Sequence, residues 1–172
     1  MKKLKLIDYI LYTAIVAFVV AADQVTKALA VKFLQPIDTI PIIKDALHLT
    51  YAENKGAAFG ILADSRWVFM SISTVAILAL LFSLYAGFMR GGLTLSTISI
   101  CLIAGGGIGN MIDRTALGYV VDFIDFRLID FAIFNVADSA VCVGAGLLML
   151  SVVLDIIKEA REKKNEENEK NG

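Results

Sequence analysis

The sequence predicts a mainly α-helical polytopic membrane protein with four transmembrane helices and a small extracytoplasmic β element. Three observations carry this. First, 58% of the 172 residues are hydrophobic and mean hydropathy is +0.73, well above the apolar usage of soluble domains. Second, the apolar residues fall in four blocks near the ~20 residues that cross a bilayer as a helix. Third, the segment LHLTYAEN, between the first two blocks, alternates in the way of a short strand.

The blocks run Ile7–Ala22 (continuing to Leu34 as a helix), Trp67–Met89, Leu93–Ile112 and Ala132–Ile157. Lys2, Lys3 and Lys5 precede the first, which resembles a secretory signal ending at Ala21-Ala22. The helical pattern continues through VTKALAVKFL, so the block reads as a retained span. The amino-terminal lysines place the N-terminus in the cytoplasm, and four crossings return the C-terminus there. Arg90 in the second turn and Lys158, Arg161, Lys163 and Lys164 after the last span agree, although basic residues also occur in the opposing loops. Trp67 fits an interfacial anchor. Residues 1–158 therefore read as one four-span domain with extracytoplasmic loops at about 35–66 and 113–131. Residues 159–172 form a charged cytoplasmic tail, in which Glu159 and Lys163 stand i,i+4 as on a solvated helix that then frays.

Composition narrows the function classes. Charged residues make up 19% of the chain and the net charge is -1, so no nucleic-acid footprint is present. The two cysteines, Cys101 and Cys142, lie inside apolar blocks and read as small buried hydrophobes. The single histidine, His48, reads as a polar loop residue; a zinc site or Ser-His pair would have to be built on it alone. No metal or other cofactor is expected.

The remaining polar residues share one depth. Asp23 and Lys27 end span one, and Asn54 lies in the first outer loop. Asn110, Asp113 and Arg114 end span three. Asp122 and Asp125 lie in the second outer loop, and Asn135 and Asp138 in the outer part of span four. Asn110 shares a helical face with Asp113 and Arg114, and Asn135 shares one with Asp138. Asp138 is expected roughly 6–9 Å along the axis from its helix start. An ionisable group there is a functional-site candidate by default. Plainer readings stand beside this one. Gly105 and Gly109 form a small-xxx-small packing face. Asp23 and Lys27 suit an i,i+4 ion pair, Asp113 and Asp125 suit pairing with Arg114 and Arg127, and Gly56 through Gly60 suit a tight loop. The small residues of that loop would also let backbone approach a ligand closely.

Ser139 with Lys27 is a conceivable dyad, but Ser139 points about 100° away from Asp138 on a helix. The stronger pattern is the carboxyl pair Asp122 and Asp138. Two carboxyls forced together cannot both ionise easily, so one takes a proton from water while the other donates one. The rival from another class is a small ion-coupled transporter, whose acids would be spread through the membrane depth.

Five motifs in order, DQVTK (23–27), NKGAAFG (54–60), GGGIGNMIDR (105–114), VVDFIDF (120–126) and FNVADSAV (134–141), closely resemble those of the bacterial lipoprotein signal peptidases, also called signal peptidase II, over nearly the whole chain. Gly107 stands where the family motif often has alanine. The resemblance implies a catalytic dyad of Asp122 and Asp138, with Asp23, Lys27, Asn54, Gly56, Gly60, Asn110, Arg114 and Asn135 supporting it or binding substrate. It implies an aspartic endopeptidase of the bacterial cytoplasmic membrane, active on the extracytoplasmic side. Its partners would be diacylglyceryl prolipoproteins, cut just before the lipidated cysteine, membrane lipid and globomycin-type inhibitors.

Overall fold

A computed structural model describes residues 5–56, 66–85 and 92–171. Four helices dominate: α1 (Leu6–Phe33), α2 (Arg66–Tyr85), α3 (Leu95–Ala116) and α4 (Val136–Asn171). Three of them, Leu6–Phe33, Leu95–Ala116 and Val136–Asn168, are long and apolar enough to cross a membrane. In α2 the apolar stretch runs Met70–Tyr85, and the rest of the block expected to end at Met89, with Arg90, lies outside the described residues.

Local chemistry sets the helix limits. Asp8 accepts a hydrogen bond from the Lys5 backbone N–H (2.9 Å) at the start of α1. Thr94 caps α3: its hydroxyl accepts from the Thr97 N–H (3.2 Å) while the Thr97 hydroxyl accepts from the Thr94 N–H (2.8 Å), so each satisfies a donor that the helix leaves over. α3 is the centre of the bundle, packing most extensively on α4, then on α1 and α2. Near the starts of α1 and α3 and the end of α2, Tyr12, Leu84, Ile100 and Cys101 form a buried cluster, and the Tyr12 hydroxyl donates to the Gly92 carbonyl (3.1 Å). Outward-facing Phe18, Ile72, Val75, Leu78 and Met149 are exposed apolar side chains, the pattern of helices whose solvent is lipid.

At the other end lies a three-stranded antiparallel sheet in the order β1 (Thr39–Ile43), β2 (Leu47–Asn54), β3 (Val120–Asp125). The alternating segment LHLTYAEN is β2 itself. β3 was expected only as loop, although its run of valine, phenylalanine and isoleucine suits a strand. Val121 and Phe123 of β3 pack on Ala30 and Leu34 at the end of α1, with Ile40, Leu49 and Tyr51 around them. Each large apolar side chain fully buried in such a cluster contributes ~1.5–3 kcal/mol. The sheet is thereby fixed over the helix ends. β2 and β3 pair Leu49 with Ile124, then shift register before pairing Ala52 with Asp122 and Asn54 with Val120. Such a shift re-aims side chains, and it occurs next to the residues that form the candidate site.

Three boundaries change here. α3 continues to Ala116, so the second outer loop starts later than 113, and Asp113 and Arg114 are helical as their shared face with Asn110 requires. α4 begins at Val136 rather than Ala132, which puts Asp138 in its first turn. The tail stays helical to Asn171, with an exposed Lys158–Glu162 pair at 3.8 Å.

Candidate active site

Glycine makes the site possible by letting three helices close on one another. A Cβ on Gly106 of α3 would collide with the Ala137 carbonyl of α4. One on Gly109 would stand 2.5 Å from the Asp23 carboxylate of α1. Close approach at these two positions delivers Asn110 to the start of α4 and within reach of Lys27.

Beneath the candidate dyad lies a buried ionic cluster. The Lys27 ammonium is 2.9 Å from Asp23 Oδ2 and 3.0 Å from Asp113 Oδ2, and it donates to Asn110 Oδ1 (2.8 Å). Its three donors thus meet three acceptors, as a buried ammonium requires. The second oxygens of the two aspartates are also occupied. Asp23 Oδ1 accepts from the Ala137 N–H at the start of α4 (3.0 Å). Asp113 Oδ1 accepts from Gln24 Nε2 (3.0 Å), while its Oδ2 also accepts from the Val121 N–H of β3 (3.1 Å). One cluster therefore ties α1, α3, α4 and β3 together.

Asn135 begins the dyad itself. It immediately precedes α4 and forms a reciprocal cap with Asp138: Asp138 N–H donates to Asn135 Oδ1 (2.9 Å), and Asn135 N–H donates to Asp138 Oδ2 (3.2 Å). The i,i+3 spacing seen in the sequence is this cap. The Asn135 amide Nδ2 then donates to Asp122 Oδ1 (2.6 Å), so a single asparagine holds both carboxyls. Asn54 Nδ2 donates to Asp122 Oδ2 (3.0 Å), and Asn110 Nδ2 donates to Asp138 Oδ1 (2.7 Å). Asp122 is 2% exposed. Burial pushes its carboxyl up to about 7; the Asn54 and Asn135 donors work against that rise and the nearby Asp138 charge adds to it. Amide N–H groups, three from side chains and one from the backbone, hold the two dyad carboxyls.

Both carboxyls line a cleft of about 630 Å³ together with Asn54, Arg114 and Ser139, and with an apolar wall that includes Phe131 and Phe134. The Arg114 guanidinium donates to the Gly56 carbonyl (3.3 Å). Gly56 N–H in turn donates to Asn54 Oδ1 (3.0 Å). The start of the NKGAAFG loop is thus held against the dyad from two directions; Gly60 lies outside the described residues.

Of the residues singled out in the sequence, Asp122, Asp138, Asn54 and Arg114 line this cleft, and Asn110 and Asn135 hold its carboxyls from behind. Asp23 and Lys27 converge beneath it. Ser139 donates its hydroxyl to the Asn135 carbonyl (2.9 Å), and Lys27 is occupied by two aspartates, so the two do not form a dyad. Asp113 is paired with Lys27 rather than with Arg114. Asp125 is paired with Arg127 at 2.8 Å; burial alone would raise its carboxyl, but the Arg127 and Thr50 hydrogen bonds outweigh it and hold the group low. Cys101 is buried as expected, whereas Cys142 is exposed and lines the cleft. His48 is a buried strand residue opposite Asp125, not a loop histidine. Sequence reasoning passed over Gln24, whose contact with Asp113 spans 89 positions and leaves no local pattern.

The family model for signal peptidase (SPase) II matches residues 15–154. The chain belongs to the signal peptidase II family. It is 47% identical over 146 residues to a lipoprotein signal peptidase of Brevibacillus brevis, covering 84% of this chain and 95% of that one. It is 50% identical over 134 residues to that of Caldanaerobacter subterraneus (78% and 90% covered), and 40% identical over 154 residues to that of Bacillus subtilis (88% and 99%). A solved bacterial membrane enzyme superposes with a TM-score of 0.79 at 34% identity, over 91% of this chain and 94% of that one. Membership of this family makes the chain a membrane-embedded peptidase, and the transporter reading receives no support.

Proposed function

We propose that the protein removes the signal peptide from diacylglyceryl-modified prolipoproteins, cutting just before the lipidated cysteine, with Asp122 and Asp138 as its catalytic dyad. One observation carries the dyad: two carboxyls from β3 and α4, bridged by Asn135, meet in a cleft at the ends of apolar helices. The substrate follows from the relatives, which are lipoprotein signal peptidases, and from the five motifs.

In this reading a water molecule sits between the two carboxyls and the scissile carbonyl. The ionised carboxylate takes its proton as it attacks, and the protonated partner donates to the carbonyl oxygen. The first carboxyl then gives the proton it took to the leaving amine, while the second takes one back from a hydroxyl of the gem-diol, so that the C–N bond breaks, the carboxylic acid product forms and both carboxyls return to their starting states. No metal and no covalent intermediate is required. Asn54, Asn110 and Asn135 hold the carboxyls, and Arg114 holds the Gly56 backbone beside them. α2 is the fourth span, both termini are cytoplasmic, and the sheet and cleft face the extracytoplasmic side, where the acyl chains of the substrate stay in the bilayer. Globomycin-type inhibitors occupy the same cleft.

The test is purified protein in detergent with a diacylglyceryl prolipoprotein and with the same precursor left unmodified. Loss of the signal peptide is expected from the lipidated form alone, and it should persist in EDTA. Equal cleavage of both precursors refutes the substrate assignment, and loss on chelation with recovery by an added metal refutes the metal-free dyad.

A further inference from the structure

We propose that the two aspartates have fixed and unequal roles, Asp138 the ionised base and Asp122 the protonated acid, and that Asn110 and Asn54 are the positioning residues that set them. This rests on the dyad reading above and adds the division of labour within it.

The observation is the way each asparagine amide is locked. An asparagine side chain offers an oxygen that only accepts and an NH₂ that only donates. Asn110 Oδ1 receives the Lys27 ammonium, which has no lone pair, so the Asn110 NH₂ must face Asp138. Asn54 Oδ1 receives the Gly56 N–H, so its NH₂ must face Asp122. Asn135 Oδ1 receives the Asp138 N–H, so its NH₂ must face Asp122 as well. A backbone N–H or a lysine fixes every amide from its far side, and none can turn to accept a proton from the dyad.

The two carboxyls differ in what else surrounds them. Asp138 is half-buried in the first turn of a 36-residue helix, where the helix dipole favours negative charge, and it accepts a backbone N–H. Asp122 is on a strand and 2% exposed, with no helix terminus behind it and a negative neighbour in Asp138. Between the two, Asp138 is the better place for the charge. A proton on Asp122, whose two oxygens already receive amide donors, is left to the substrate carbonyl. The other charged groups around the pair are Lys27 of α1, Glu53 of β2, and Asp113 and Arg114 of α3. Lys27 acts on both carboxyls, whereas the Arg114 guanidinium acts on Asp138 before Asp122, so the cations side with the helix position and the burial in placing the charge on Asp138.

The experiment is the pH dependence of kcat/KM on the lipidated precursor for wild type, Asn54→Ala and Asn110→Ala. A bell is expected, its acidic limb set by the base and its alkaline limb by the acid. Removing a donor from a carboxylate raises its pKa by about one unit. Asn110→Ala should therefore move the acidic limb up by about one pH unit and leave the alkaline limb in place. Asn54→Ala should move the alkaline limb up and leave the acidic one. A fall in overall rate, expected for both, does not affect the positions of the limbs. Exchanged limbs, or limbs unmoved in both variants, overturn the assignment. Should either variant be too slow to profile, the infrared band of protonated carboxyl near pH 6 decides. It should disappear in Asp122→Asn and remain in Asp138→Asn, and the reverse overturns the assignment. Normal cleavage by Asp122→Asn or Asp138→Asn would instead mean that the dyad itself is wrong, so the two failures are separable.

Discussion

Asp122 and Asp138 on one side of Asn110, and Asp23 and Asp113 on the other, are aspartates of one hydrogen-bonded network. The lower pair shares the Lys27 ammonium, each oxygen to nitrogen distance being 3.0 Å or less, and each aspartate also accepts a backbone N–H from a neighbouring element. The upper pair receives amide donors and opens on a cleft. A buried carboxylate with a cation in contact stays charged and ties chain segments together. A carboxyl held by neutral donors retains the freedom to gain and lose a proton. In the proposed reading the same residue type thus serves structure in one layer and chemistry in the next, and the partner decides which.

The largest effect that would test this contrast comes from the upper layer. Asp122→Asn and Asp138→Asn should each lower cleavage by ~10²–10⁴-fold or more, since positioned acid–base catalysis is worth about that. The double variant should be little slower than either single one, because the two act as a unit. The fold should survive. Burial holds the native Asp122 carboxyl near pH 7, above its unfolded value, so the native state keeps a proton that the unfolded state has lost. That contribution is present at low pH and is lost as pH rises through about 7. Asp122→Asn should then unfold at an equal or higher temperature than wild type above pH 7, and the gap should narrow on acidification. Near-normal initial rates in either single variant would remove the dyad.

The lower layer should respond in the opposite sense. Lys27→Met leaves Asp23 and Asp113 buried without their cation, and breaking a buried pair in this way costs ~3–5 kcal/mol. Thermal unfolding at neutral pH should show a large drop, and activity should fall with it because Asn110 loses the donor that orients it. A stable but inactive Lys27→Met would move Lys27 out of the framework and into the chemistry.

The smallest effect is expected at Asp125, which lies on the same strand as Asp122 and is paired with a partly exposed arginine. Exposed pairs contribute at most ~1 kcal/mol. Asp125→Asn should cleave at close to the wild-type rate with a slightly lower melting temperature. Inactivation comparable to that of Asp122→Asn would mean that strand charge in general, not the dyad, supports cleavage.

Signals with a local period were legible in the sequence. Blocks of apolar residues announce helices because each is contiguous, and LHLTYAEN announces β2 because alternation repeats every second residue. The spacing of Asn135 and Asp138 lies within one helical turn, so their shared face was readable, and so was the crowding of polar residues at one end. Their depth was not, because the start of α4 at Val136 is fixed by the cap between those two residues. β3 remained hidden for a related reason: its partner Asn54 is 66 or more positions away from every residue of the strand.

Residue chemistry and order therefore determined which side chains this protein has for its site and roughly where along the helices they stand. Only the tertiary structure decided what each one touches. Lys27 had four other aspartates of the same polar cluster to choose from besides its i,i+4 neighbour, and it takes Asp113 because Gly109 and Gly106 let α1 and α4 close on α3. Asp23 reaches the start of α4 across 114 positions. An amide can present either end, and the donors that fix Asn54, Asn110 and Asn135 come from Gly56, Lys27 and Asp138. Two of those three donors lie within three residues of the amide that they fix, but the carboxyls that the amides then serve lie 13, 28 and 68 positions away. Such distances carry no periodic trace, and packing alone brings the groups to within hydrogen-bonding range.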